Sequence, residues 1–157
     1  MSGHSSPESA ASIIIRRIPA AGTHSIRHSI LRPGMPPDSA VFPGDDDPAT
    51  EHFGAFRGSE LVGVASIYSA ILPEQPDVNA AWQLRGMATL PTVRGLGCGR
   101  ALLEACSAAA AGKNGLILWC NARATAVAFY ERHGWKVVSE EFVIATAGPH
   151  FRMAIGP

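Results

Sequence analysis

The residues best suited to chemistry lie in Val93-Arg94-Gly95-Leu96-Gly97-Cys98-Gly99-Arg100-Ala101-Leu102-Leu103. Three alternate glycines stand between two arginines. An extended segment ends before them at Pro91, and an apolar helical pattern opens directly after them. Glycine has no side chain, so its backbone N–H can approach an anion closely. The start of a helix adds N–H groups without intrahelical partners and the positive end of the dipole. This combination makes a cradle for phosphate, such as the pyrophosphate of a nucleotide-like cofactor. The plain alternative is a tight strand-to-helix turn, which needs fewer glycines and no arginines.

Two phosphate-binding patterns do not fit. A Walker A loop requires Gly-Lys-Ser/Thr, whereas Arg100-Ala101 follows Gly99. A Rossmann fingerprint fits at Gly95 and Gly97 but meets Arg100 at its third glycine. The next apolar strand, Leu116 to Cys120, also lacks the acidic residue that pattern requires.

Arg94-x-x-Gly97-x-Gly99 resembles the Arg/Gln-x-x-Gly-x-Gly/Ala acyl-CoA signature of the GNAT acyltransferases. Leu84-Arg85-Gly86-Met87-Ala88-Thr89-Leu90-Pro91 is similar to that family's cofactor-binding strand. Ala126-Val127-Ala128-Phe129-Tyr130-Glu131-Arg132-His133-Gly134-Trp135 resembles its Ala-x-x-Phe-Tyr-x-x-x-Gly-Phe segment. The three stretches agree in order and spacing, within residues 81 to 155. Glu140-Glu141-Phe142 and Ala147-Gly148-Pro149-His150-Phe151-Arg152-Met153 resemble the ending of a small bacterial subgroup of predicted GNAT acyltransferases. Arg27, Leu31-Arg32-Pro33, Asp45 to Asp47 and His52 fit that subgroup's outline loosely.

The resemblance implies an acetyl-CoA-dependent N-acetyltransferase that passes an acetyl group directly to a primary amine in a ternary complex. A bulge in the cofactor strand would open a slot for the pantetheine arm at Met87, Ala88 and Thr89. The Ala88 N–H would polarise the thioester carbonyl and stabilise the oxyanion. Arg94, Gly95, Leu96, Gly97, Cys98, Gly99 and Arg100 would hold the cofactor phosphates, with Phe129 in the downstream cofactor motif. Gly86 suits either an irregular strand or close packing. Tyr130 matches the tyrosine that protonates the departing CoA thiolate, although a core aromatic would occupy the same helical position. Many family members carry Asn seven residues before that tyrosine. Arg123 stands there instead, and Asn121 either replaces the contact or faces the acceptor.

His150 follows a Gly-Pro turn and is a candidate base for the amine, as is Glu141. A turn histidine bonded to backbone and a strand-face glutamate are the structural alternatives. His28 and His52 are weaker candidates, and His4, His24 and His133 receive no role. Cys106 fits a core position and Cys98 a loop position, where the helix start would depress its pKa. Cys120 is the cysteine best placed to line the slot. None has the setting of a nucleophile.

Two other function classes remain open at this point: a non-catalytic acyl-CoA-binding sensor of the same fold, and a ligase or transferase using another nucleotide. The acceptor is a small-molecule amine or a peptide amine. Asp45, Asp46 and Asp47 would attract a cation or remain solvated.

These groups require elements to hold them. The chain has 157 residues, 46% of them apolar, which allows one core; residues 11–157 read as a single domain after a tail at 1–10. Thirteen basic residues against thirteen acidic ones give no general pull toward nucleic acid. No apolar run reaches membrane-spanning length, and no signal-peptide pattern opens the chain. Three cysteines, odd in number and without metal spacing, point to a reducing, cytoplasmic setting and no metal. A homodimer is compatible with the sequence.

The spacing predicts strands over Ser12–Arg17, a hairpin of His52–Phe56 and Leu61–Ile71, and further strands at Ala80–Leu90, Leu116–Cys120, Trp135–Ile144 and Phe151–Ile155. Helices are predicted at Ala21–Leu31, Gly97–Ala111 and Ala124–His133, with a long loop at Met35–Thr50. The fold class is mixed α/β (α+β): a GNAT-like, mostly antiparallel sheet of about six or seven strands, helices on both faces and a splayed cofactor slot.

Overall fold

The computed structural model describes residues 12–157. The expected tail at 1–10, including His4, lies outside them. Eight strands form a mixed sheet in the order β1-β2-β3-β4-β5-β8-β6, with β7 paired to β8. The strands are β1 (Ile13–Ile18), β2 (Glu51–Arg57), β3 (Glu60–Ser69), β4 (Ala81–Thr89), β5 (Ile117–Arg123), β6 (Lys136–Val137), β7 (Phe142–Ile144) and β8 (Gly148–Ile155). The count exceeds the six or seven expected because Trp135–Ile144 is not one strand. It divides into β6 and β7, each pairing separately with β8.

The helices are α1 (His24–Ile26), α2 (Cys98–Gly112) and α3 (Val127–Arg132). The chain forms two compact units. One comprises the described residues through Ser66 together with Gly86–Cys106; the other comprises Ile67–Arg85 and Ser107–Pro157.

In the first unit, β1 pairs antiparallel with β2, from Ile13↔Arg57 to Ile18↔His52. Its isoleucine run alternates, leaving Ile14 52% exposed. A period of two turns successive side chains to opposite faces, and β1 stands at the end of the sheet order, so the isoleucine run, expected from its composition as a short buried strand, is only partly covered. Residues 20–31 are helical throughout but not uniformly so. A 3-10 turn (Ala20–Thr23), α1 and a π turn (Arg27–Leu31) follow one another. Thr23 does not cap a helix start; its hydroxyl donates back to the Ala20 carbonyl at 2.7 Å. The predicted loop contains the short 3-10 turn Pro37–Ala40. Ile26, Val64 and Ala88 form a local core, packed by Ile18, Ile30, Leu31, Leu61 and Leu90.

In the second unit, Leu72, Ala81, Ile117 and Trp119 form the core, and the Trp119 indole N–H donates to the Ala70 carbonyl at 2.9 Å. β4 and β5 run parallel, paired through Ala81↔Ile117, Trp82↔Leu118 and Gln83↔Trp119. β5 also pairs antiparallel with β8, from Leu118↔Ile155 to Arg123↔His150. The turn before β5 uses Asn114 in the left-handed region at φ 60°, although the sequence offers Gly112 and Gly115. Gly115 is needed for a different reason: a Cβ there would stand 2.8 Å from the Ala110 carbonyl oxygen.

Among the described residues, no helix is long and apolar enough to cross a membrane. Among them, too, no group of three or more His, Cys, Asp or Glu could hold a metal ion.

Candidate active site

The glycine loop lies in the first unit. β4 ends at Thr89, and the Leu90 N–H donates to the Val62 carbonyl at 2.9 Å, tying the strand end to β3. A 3-10 turn, Pro91–Val93, redirects the chain. Gly95 and Gly97 then take φ +78° and +80°, and a Cβ at either would find nothing within 4 Å. Side chains are excluded here by backbone conformation and not by crowding, so the backbone faces open space. The first α2 bond is Ala101 N–H to Gly97 C=O at 3.0 Å, so the Cys98, Gly99 and Arg100 amides precede the helical ladder. Arg94, Leu96 and Arg100 are exposed. Arg100 lies 3.1 Å from Glu104, one turn along the helix.

Cys98 departs from the sequence-based expectation. Its side chain is buried, with Sγ 2.9 Å from the position of a Cβ on Gly63, so it packs into the fold instead of lining the loop. Burial raises its pKa and outweighs the depression that a helix start can cause.

Gly86 interrupts β4 at φ +68°. A Cβ there would stand 3.0 Å from Phe42 Cε2 and 3.1 Å from Arg27 Nε. Both sequence readings of Gly86 therefore hold: the strand is irregular, and the packing is close. Met87 and Thr89 are half-buried beyond it, while the Ala88 methyl is buried against Ile26 and Val64. Ala88 can thus offer only its backbone to a ligand.

Against Gly86 stands a buried polar network that sequence reasoning did not assemble. Arg27 is 0% exposed. Its Nη1 donates to Asp45 Oδ2 at 2.7 Å and to the Ala40 carbonyl at 3.0 Å; its Nη2 donates to Asp45 Oδ1 at 3.2 Å and to Ser66 Oγ at 3.0 Å. The guanidinium carbon lies 4.0 Å from the Phe42 ring centroid. His52 bridges Ser66 Oγ (Nδ1, 2.6 Å) and the Asp45 carbonyl (Nε2, 3.0 Å). A carbonyl only accepts, so Nε2 carries the proton, and in the neutral ring Nδ1 accepts from the Ser66 hydroxyl. Asp45 is accordingly consumed within the fold, while Asp46 and Asp47 are exposed.

Apart from Cys106 and His28 of the first unit, the remaining candidates lie in the second unit. Tyr130 is buried on α3, its ring 5.2 Å from Phe129 and 5.1 Å from Trp135, centroid to centroid. Its hydroxyl bonds the Cys120 side chain. Burial pushes the Cys120 thiol up to about 12, and the Tyr130 bond acts in the opposite direction. Cys106 is also pushed up, by burial and by the charge of Glu51. Asn121 and Arg123 are exposed and alternate on β5, opposite Arg152 and His150 of β8.

His150 is 4% exposed and stacks on Phe142 with centroids 5.9 Å apart. Its Nδ1 faces the Gly148 carbonyl at 2.8 Å, so Nδ1 donates and the neutral ring keeps its lone pair on Nε2. Glu141 is exposed, next to the residue that pairs with His150. His28 is occupied with the Met35 carbonyl at 2.7 Å, and His133 Nδ1 with the Phe129 carbonyl at 2.8 Å.

Ser66 and Phe42 were absent from the sequence reading. The signal for the network was Arg27 itself. It falls at the buried spacing Thr23, Ile26, Arg27, where an arginine requires an internal anion.

Residues 48–137 match the family described as Acetyltransferase (GNAT) domain. The uncharacterized N-acetyltransferase YitI of Bacillus subtilis is 32% identical over 139 residues, covering 88% of this chain and 93% of that one. Escherichia coli ElaA has a similar structure, with TM-score 0.74 at 18% identity, covering 91% of this chain and 99% of the other. An aminoglycoside 6'-N-acetyltransferase complexed with coenzyme A matches with TM-score 0.72 at 15% identity, covering 91% and 96%. At these identities the structural likenesses concern the fold alone.

Proposed function

This chain belongs to the GNAT acetyltransferases, and we propose that it transfers an acetyl group from acetyl-CoA directly to a primary amine of a small molecule or peptide, in a ternary complex. One observation carries the reading: Gly95 and Gly97, both at positive φ, present backbone to open space immediately before α2. That cradle fits a pyrophosphate, with the Cys98, Gly99 and Arg100 amides as donors and Arg94 and Arg100 exposed beside it. The coenzyme A bound to the aminoglycoside acetyltransferase of the same fold also supports a CoA-type donor.

In this reading the backbone from Met87 to Thr89 takes the pantetheine arm, and the Ala88 N–H donates to the thioester carbonyl. The amine nitrogen forms the new bond to the carbonyl carbon as the carbon–sulfur bond breaks. His150 Nε2 accepts the amine proton, with Glu141 as the alternative base. The lone pair left on Nε2 by the Gly148 contact favours His150. Tyr130, whose hydroxyl bonds the Cys120 side chain, supplies a proton to the leaving thiolate. Phe129 and Asn121 complete the cofactor side. Three free, buried cysteines support a reducing, cytoplasmic setting.

The test is a panel of small amines and peptides with acetyl-CoA, following free thiol. Thiol release that depends on one class of amine supports the proposal. Tight acetyl-CoA binding with no release for any amine would favour the sensor reading.

A further inference from the structure

Building on the acetyl-transfer reading, we infer that Arg27 is a positioning residue: its guanidinium, stacked on Phe42 and clamped by Asp45 and Ser66, is the wall that sets the β4 irregularity at Gly86 and so aims the Met87 and Ala88 amides.

Four observations converge on this wall. Arg27 is fully buried with its two terminal nitrogens engaged: Nη1 reaches Asp45 and Ala40, and Nη2 reaches Asp45 and Ser66. Such a fork fixes the guanidinium plane in rotation as well as position. That plane lies 4.0 Å from the Phe42 ring centroid. Phe42 Cε2 and Arg27 Nε are the nearest atoms a Cβ on Gly86 would meet, at 3.0 and 3.1 Å. Finally, Arg27 opens the π turn, where Arg32 N–H reaches back to the Arg27 carbonyl at 3.2 Å, and such turns are frequent at functional sites.

The network is locked from behind. Ser66 receives Nη2 and engages His52, and His52 donates to the carbonyl of Asp45, the residue that clamps Arg27. The Asp45 carboxylate also accepts the Phe42 N–H at 2.9 Å, which fixes the ring that completes the wall. Loop, wall and strand irregularity are therefore one mechanical piece. For stability alone, a well-packed apolar pair would serve as well as a buried ion pair. The directional pair adds a fixed plane against a backbone whose amides must point in a defined direction.

The experiment replaces the ion pair as a unit, Arg27→Met with Asp45→Leu, and separately removes the flat ring with Phe42→Leu. Four quantities are compared with wild type: unfolding midpoint, CoA affinity, the kcat and KM pair, and the 15N amide signals of Gly86 to Thr89. The double variant should remain folded, and its loss of CoA affinity should be much smaller than its loss of kcat, because the phosphate loop is untouched while the strand that takes the pantetheine arm moves. Its Gly86–Thr89 amides should shift and its kcat fall by about a hundredfold, the scale set by misplacement of roughly 1 Å. Phe42→Leu should move the same amides with a smaller loss of kcat, and this variant decides the matter if the double variant does not fold. Unmoved amides and wild-type kcat in a folded variant would overturn the assignment. If wild type acetylates no amine while the amides still move, the transfer reading fails and the positioning role stands.

Discussion

Arg27 and Asp45, eighteen positions apart in sequence, meet through two hydrogen bonds of 2.7 and 3.2 Å in surroundings that leave their side chains 0% and 3% exposed. Removing one partner strands the other charge. Asp45→Ala should destabilise the fold by about 3–5 kcal/mol, read as a lower denaturant midpoint with unchanged m-value. A cost below 1 kcal/mol would mean that water reaches the pair.

The glycine loop makes a separate prediction. Gly97→Asp and Gly97→Asn impose the same shape and similar backbone tolerance at φ +80°, but only aspartate adds negative charge. Calorimetric titration with CoA should show far weaker binding for Gly97→Asp than for Gly97→Asn. Equal affinities would remove the loop from the phosphate site.

This loop was legible because its information is local. Alternate glycines, flanking arginines and the following helical stripe sit within eleven residues, and positive φ followed at Gly95 and Gly97. The hairpin across Gly58-Ser59 was equally local. The Arg27 network was not, since Ser66 lies 39 positions from Arg27 and no periodicity encodes that meeting. Asp45 read as one of three aspartates that attract a cation or remain solvated, because sequence spacing cannot show which of them turns inward. The Ala21–Leu31 helix was found but its changes of pitch were not; local propensity fixes helicity, whereas the π turn answers to the packing around Arg27. The split between β6 and β7 was hidden because their registers are set by the partner β8.

For Tyr130, replacement by Phe keeps the ring contacts with Phe129 and Trp135 and removes the proton donor. Turnover should fall by about tenfold to a thousandfold, with acetyl-CoA affinity little changed. Unaltered turnover, under conditions where chemistry limits the rate, would make the hydroxyl a structural partner of Cys120.

His150→Gln preserves size and polarity but removes the Nε2 base. The acidic limb of the kcat/KM profile should flatten and the rate fall by about a hundredfold. A profile matching wild type would pass the role to Glu141, to be tested by Glu141→Gln.

The buried thiols link stability to alkaline pH. All three hold raised pKa values in the fold, Cys120 at about 12 against an ordinary 9.0. Below 9.0 the thiols are protonated in both states and their contribution is fully present. Above it the unfolded chain releases protons that the folded chain keeps, so stability declines with pH, for Cys120 until about 12. The slope approaches about 1.4 kcal/mol per pH unit for each fully titrating thiol. Denaturant midpoints between pH 8 and pH 10 should therefore fall more steeply in wild type than in Cys106→Ala; identical slopes would contradict the burial of this thiol.

Direct acetyl transfer to an amine is tested most simply by isotope tracing. The protein is incubated with acetyl-CoA carrying 13C in the acetyl group and with the amine that releases most thiol, and both products are weighed by mass spectrometry. Direct transfer places label on the amine nitrogen, one acetyl per CoA released, and none on the protein. Label held by the protein as a competent intermediate, or recovered only as free acetate, would contradict it.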